Sequence, residues 1–131
     1  MFIETIHPRF SEVNVAGHIG FTVLPAWFEK AAENVYKMFM PELKLDRSGP
    51  VVVRFEMECL REINHTQEVK IKTEVQKIGG SSFSLIQHLE QGNEISAISR
   101  ITLVYFDYEQ RRALPIHDSL RTALEEHLEG Q

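Results

Sequence analysis

The chain has 131 residues, enough for one domain that buries roughly two-thirds of its unfolded surface and too short for a second. With 43% hydrophobic and 25% charged residues it is neither a disordered nor a membrane chain, and charges interrupt every apolar run well before the ~18 residues of a membrane span. A formal net charge of −5, with Lys and Arg scattered rather than clustered, argues against nucleic acid as the main partner. The N-terminus carries Glu4 and no basic leader before an apolar core, so no signal peptide is expected, and a cytoplasmic location is the default. Cys59 is the only cysteine, which excludes an intramolecular disulfide.

Phe2 to His7 alternates weakly and reads as a first strand, ended by Pro8, which lacks a backbone donor. A polar, glycine-bearing loop follows. From Leu24 the apolar residues fall at Leu24, Trp27, Phe28, Ala31, Val35 and Phe39, a helical spacing with Lys30, Glu33 and Lys37 opposite. Pro25 suits the first turn of this helix and Pro41 marks its end.

A loop holding Asp46, Gly49 and Pro50 leads to ten alternating positions. Val51, Val53, Phe55, Met57 and Cys59 share one side and Val52, Arg54, Glu56 and Glu58 the other, which predicts a half-buried strand with Cys59 as a small buried hydrophobe. Val69, Ile71, Thr73 and Val75 alternate with Lys70, Lys72, Glu74 and Gln76, ending at Gly79-Gly80. Phe83, Leu85 and Leu89 continue the pattern to Gln91-Gly92-Asn93, a turn that joins a hairpin to Ile95 through Phe106. His117-Asp118-Ser119 offers N-caps for a last short helix through His127. One long helix before a run of antiparallel strands is an α+β pattern, and a sheet wrapped around the helix would hide its wide apolar face.

The loop Arg9 to Gly20, containing Asn14, Gly17-His18 and Gly20-Phe21, is followed by Trp27-Phe28-Glu29-Lys30-Ala31. Further along stand Phe55 to Ile63 with Leu60-Arg61, then Gly79-Gly80-Ser81-Ser82, then Leu114-Pro115. Together these segments, which span nearly the whole chain, resemble the hot-dog-fold acyl-CoA thioesterases of the 4-hydroxybenzoyl-CoA thioesterase family. That family's loop reads approximately D-x-x-G-H-x-N-N, and the helix after it Y-x-x-x-F-E-x-A. Here Asn14 stands for the catalytic aspartate, Gly20-Phe21 replace the two asparagines and Leu24 the tyrosine, while Gly17-His18 and Phe28-Glu29 match.

The resemblance implies a hot-dog fold over residues 1–131, thioester hydrolysis, and a homodimer or homotetramer with sites at the subunit interface. An isolated sheet edge that needs cover points to a dimer as well. The expected partner is a small-molecule acyl-CoA thioester, and the substrate's coenzyme A brings the only cofactor chemistry. The histidines show no metal-ligand spacing, and no G-x-S-x-G elbow or P-loop is present.

Hydrolysis builds negative charge on the carbonyl oxygen, which backbone N–H groups at a helix N-terminus stabilise. Gly17, Gly20 and Phe21 lie at such a helix start, and glycine lets the backbone approach a ligand. The neutral amide of Asn14 is neither nucleophile nor base but can hydrogen-bond, and asparagine here also looks similar to some hot-dog thioesterases of polyketide pathways. It can equally cap its own turn. No aspartate precedes Asp46, so His18 and Glu29 are the candidate catalytic groups beside Asn14. Ser81 and Ser82 match a segment that lies near coenzyme A in the family, and Arg61, Lys77 and Arg100 are candidate phosphate charges. An acyl-carrier-protein thioesterase and a non-catalytic acyl-CoA-binding protein are the alternatives.

Overall fold

The computed structural model describes residues 1–130, so Gln131, the last position of the expected domain, lies outside it. Strand β1 (Phe2–Ile6) leads through a 3₁₀ turn at Phe10–Glu12 and a second at Phe21–Val23 into helix α1 (Leu24–Phe39). Strands β2 (Ser48–Cys59), β3 (Val69–Ile78), β4 (Ser82–Gln91) and β5 (Glu94–Asp107) follow, then a two-residue β6 (Arg112–Ala113) and helix α2 (Asp118–Glu125). The sheet runs β1-β3-β4-β5-β2 with all neighbours antiparallel, and β6 adds to the far end of β5.

Helix α1 forms where the apolar spacing places it. Pro25 sits in the first turn, where no intrahelical donor is lost. Leu24, Trp27, Phe28 and Val35 are buried against the sheet, each contributing roughly 1.5–3 kcal/mol. That sum exceeds anything helix propensity supplies, so packing holds the helix. Its partners are the residues of β3, β4 and β5 that share the inner face: Val69, Ile71 and Val75, then Phe83, Leu85 and Leu89, then Ala97, Ile101 and Leu103.

One row across that inner face is polar. Thr73, Gln87 and Ser99 stand directly opposite one another on β3, β4 and β5, all fully buried. The Gln87 Nε2 donates to the Phe28 carbonyl of α1 at 2.8 Å and to Thr73 Oγ1 at 3.1 Å, while Ser99 Oγ donates to Gln87 Oε1 at 2.8 Å. The row separates two apolar clusters, one around the start of α1 and one around its end, the latter closed by Ile116 and by Leu120 and Leu124 of α2.

Strand β2 departs from the sequence expectation. It begins at Ser48, so Gly49 and Pro50 lie inside the strand rather than in a loop. A bulge between Val52 and Arg54 shifts the alternation by one, so that Val52 faces the same way as Phe55 while Val53 is the extra residue. As an edge strand it also lacks cover: Val52, Val53, Phe55 and Cys59 are exposed, and Cys59 is not the buried hydrophobe its parity predicted. The last helix starts where expected, with the His117 ring as N-cap, but ends at Glu125, and the turn after it pairs with Val75 of β3 through Leu128.

The loop between β1 and α1 is tied to the helix by a carboxylate. Glu12 accepts from the Trp27 indole N–H at 3.1 Å and from the Arg9 backbone N–H at 2.8 Å, and its own carbonyl accepts from the Gly20 N–H at 3.1 Å. Burial works to raise the Glu12 carboxyl, but the hydrogen bonds from Arg9 and Trp27 and the Arg9 charge hold it below the ordinary 4.5 of a glutamate.

Two outcomes follow from this packing. Gln87→Leu strands the buried Thr73 and Ser99 hydroxyls and is expected to cost about 2 kcal/mol or more in denaturant unfolding, part of it recovered when Thr73→Val and Ser99→Ala are added. The Glu12 carboxylate, with a folded value below its unfolded one, contributes stability in full above 4.5 and loses it as pH falls through the lower folded value. Glu12→Gln should therefore flatten the acid limb of the melting-temperature profile and leave a lower plateau at neutral pH.

Candidate active site

The loop from Val13 to Ile19 closes on itself as a tight turn. Val13 and Ile19 form an antiparallel bridge, and inside it the Asn14 N–H donates to the His18 carbonyl at 2.7 Å and the Gly17 N–H to the Asn14 carbonyl at 3.0 Å. The Asn14 side chain completes the turn, its Oδ1 accepting from the backbone N–H groups of Ala16 at 3.0 Å and His18 at 3.3 Å. Asn14 is thus the turn's own cap. Among the described residues its Nδ2 has no partner, and that half of the amide is available to a ligand.

The two glycines do different things. Gly17 has φ +85, the left-handed region in which a side chain is strained, so the turn requires it. Gly20 has φ −67 and ψ 140, ordinary extended backbone, and a Cβ there would meet nothing closer than 3.7 Å. Glycine at position 20 is not needed for the turn; its backbone is buried, the N–H on the Glu12 carbonyl and the carbonyl accepting from the Val23 N–H, and it does not line the cleft.

Helical geometry begins immediately after it. The first bond of the 3₁₀ turn runs from the Val23 N–H to the Gly20 carbonyl, which leaves the Phe21 and Thr22 N–H groups without intrahelical acceptors at the positive end of α1. Asn14, His18, Phe21 and Leu24 form one wall of an open cleft of about 630 Å³, and Cys59, Arg61 and Glu62 form the other. The second wall is anchored by backbone: the Ile19 N–H donates to the Ile63 carbonyl at 2.9 Å, and the N–H groups of Leu60 and Arg61 both reach the Ser96 carbonyl. Across the cleft His18 Nε2 lies 3.1 Å from Glu62 Oε2. Glu62 was not among the residues that spacing singled out.

Asn14, His18 and Phe21 therefore line one cleft, while Gly17 and Gly20 belong to the same loop without lining it. Glu29 does not join them within the chain. It stands on the exposed flank of α1, in a separate apolar groove of about 290 Å³ with Pro25, Tyr36, Val52 and Phe55. Burial, and then the Glu29 charge, push the Tyr36 phenol up to about 12. Ser81 and Ser82 are also remote: Ser82 pairs with Val104 and Cys59 with Ala97, so about 23 Å of β5 separates them from the cleft. Of the candidate phosphate charges, Arg61 lines the cleft but pairs with Glu94 at 3.3 Å, and Arg100 pairs with Glu58 at 2.6 Å. Among the described residues no three His, Cys, Asp or Glu side chains gather as a metal set, and no helix is long and apolar enough to cross a membrane.

A family model for the thioesterase-like superfamily matches residues 8–124. Among solved structures, a predicted thioesterase from Bacillus stearothermophilus is 32% identical, with a TM-score of 0.91 over 97% of this chain and 96% of that one. A thioesterase superfamily protein from Jannaschia sp. CCS1 is 20% identical, with a TM-score of 0.87 over 97% and 92% of the two chains. A gentisyl-coenzyme A thioesterase is 18% identical, with a TM-score of 0.81 over 93% and 98%; at these lower identities the likeness is one of fold. No curated protein sequence matches. With a sheet curled around one long helix and a family match over most of its length, the chain belongs to the thioesterase-like superfamily, the hot-dog thioester hydrolases its loop and helix resemble.

Proposed function

We propose that the protein hydrolyses acyl-CoA thioesters to the free acid and coenzyme A, by direct addition of water and without a metal or redox cofactor. One observation carries this reading: Asn14, whose Nδ2 is unpartnered, lines the same cleft as Phe21, whose N–H is left open at the start of α1. A thioester carbonyl oxygen placed there meets N–H donors from both sides as it takes on charge. Water adds to the carbonyl carbon, the C–S bond breaks, and the thiol leaves with a proton.

In this reading Asn14 holds the carbonyl and Gly17 shapes the turn that holds Asn14. Gly20 ties the loop to the Glu12 carbonyl at the start of α1, and Phe21 covers the acyl end of the cleft. The working unit is a homodimer, or a homotetramer built from it. What supports this is the twelve-residue edge of β2, with exposed Val52, Val53 and Phe55, which a second copy would cover. A second copy is also what would bring Glu29 and the Ser81-Ser82 turn to a cleft from which they are distant in one chain.

Free-thiol release from short, medium, long and aromatic acyl-CoAs, and from the same acyl groups on acyl carrier protein, tests the reading. The wild-type chain is expected to turn over acyl-CoA, and Asn14→Ala to lose on the order of 10²-fold in kcat, the usual cost of an oxyanion donor. Asn14→Asp keeps an acceptor for the Ala16 and His18 N–H groups and should fold as the wild type does. Saturable binding with no turnover, and activity appearing only in Asn14→Asp, would make the chain a binding protein instead.

A further inference from the structure

With no carboxylate at position 14, the reaction needs another group to take the proton from water. We propose that His18 is that base and that Glu62 is its positioning residue, a deepening that rests on the thioesterase reading above. Neither side chain is placed by chance. Each immediately precedes a buried isoleucine, Ile19 and Ile63, and these two are joined by the Ile19 N–H to Ile63 carbonyl bond of 2.9 Å. The His18 backbone is fixed a second time by its N–H on Asn14 Oδ1. Two anchored backbones therefore present the imidazole and the carboxylate to each other across the cleft, with Nε2 and Oε2 3.1 Å apart.

The charges around the pair leave Glu62 to this role. The titratable side chains of the cleft are His18, Cys59, Arg61 and Glu62, and Arg61 is drawn off to Glu94. Glu12, the nearest carboxylate on the loop itself, is committed to Trp27 and Arg9. Once Glu62 accepts from Nε2–H in the liganded cleft, the neutral ring is held in that tautomer and the Nδ1 lone pair is left as the proton acceptor. Nδ1 takes a proton from water as its oxygen bonds to the thioester carbon and the carbonyl electrons move onto the oxygen. When the C–S bond breaks, the sulfur takes the proton back from the imidazolium, which Glu62 has stabilised in the interval.

Exposed ion pairs add little to stability, so the pair can be cut without unfolding the protein. The experiment compares wild type with Glu62→Gln, Glu62→Asp and His18→Gln, reading kcat and KM across pH, melting temperature, and the ¹⁵N shifts of the His18 ring. Glu62→Gln is expected to melt as wild type does, keep KM, and lose on the order of 10²-fold in kcat. Glu62→Asp should recover part of that loss, and Glu62→Gln should add nothing to His18→Gln. The ring shifts should report the Nε2–H tautomer in wild type and a mixture in Glu62→Gln. A Glu62→Gln chain with wild-type kcat, pH profile and ring shifts overturns the assignment of Glu62 while leaving the thioesterase reading intact. A wild-type chain inert to every thioester overturns that reading and the base role of His18 with it.

Discussion

The side chain of Gln87 joins four elements of the fold at one point. Its amide binds the α1 backbone at Phe28, Thr73 on β3 and Ser99 on β5, in a layer closed to water. Apolar packing fixes which face of each strand points inward, and this row adds a register in which every buried polar atom is satisfied. A slip of one residue on β4 would turn Gln87 outward, strand two hydroxyls and bring His88 or Ile86 into the helix-facing row. The clasp therefore decides where along the sheet α1 sits, and so where its N-terminus meets the loop.

From that fixed point the cleft is assembled by short ties. Glu12 draws the loop onto Trp27, Ile19 pairs with Ile63, and Asn14 locks the turn between them. Asparagine at this position preserves the turn that an aspartate would make and changes only the electrostatics. A carboxylate would compete with the developing oxyanion for the positive end of α1, whereas the amide adds a donor to it. The cost is the loss of a base, and the histidine four residues on, paired with a carboxylate from the opposite wall, has the chemistry to replace it.

What was legible in the sequence follows from how each residue meets its surroundings. The α1 face and strands β3 to β5 were readable because a covered surface imposes a strict period on them. The same rule misled at β2: the alternation of Val51 to Cys59 is real, but an edge strand carries its apolar residues without cover, and the bulge at Val53 breaks the period unseen. Gln87 falls in the alternation as a polar gap between Leu85 and Leu89. Its parity with Thr73 and Ser99 was the available signal, three polar residues on inward positions of adjacent strands. Glu62 gave none, because only the Ile19 to Ile63 pairing brings residues so far apart in the chain to one cleft. The loop motif found Asn14, Gly17, His18, Gly20 and Phe21 together because they are contiguous; Glu29 and Ser81-Ser82 entered by resemblance, and one chain alone does not join them.

Everything in the proposed reaction depends on a thioester carbonyl being held between the Asn14 amide and the opening N–H groups of α1. A crystal structure with an acyl-CoA analogue whose thioester is replaced by a ketone would show where that carbonyl sits. The ketone oxygen is expected within hydrogen-bond distance of Asn14 Nδ2 and of the Phe21 or Thr22 N–H, with the His18 and Glu62 side chains beside the carbonyl carbon. An analogue seated with its carbonyl in the groove between α1 and β2, remote from Asn14, would contradict it.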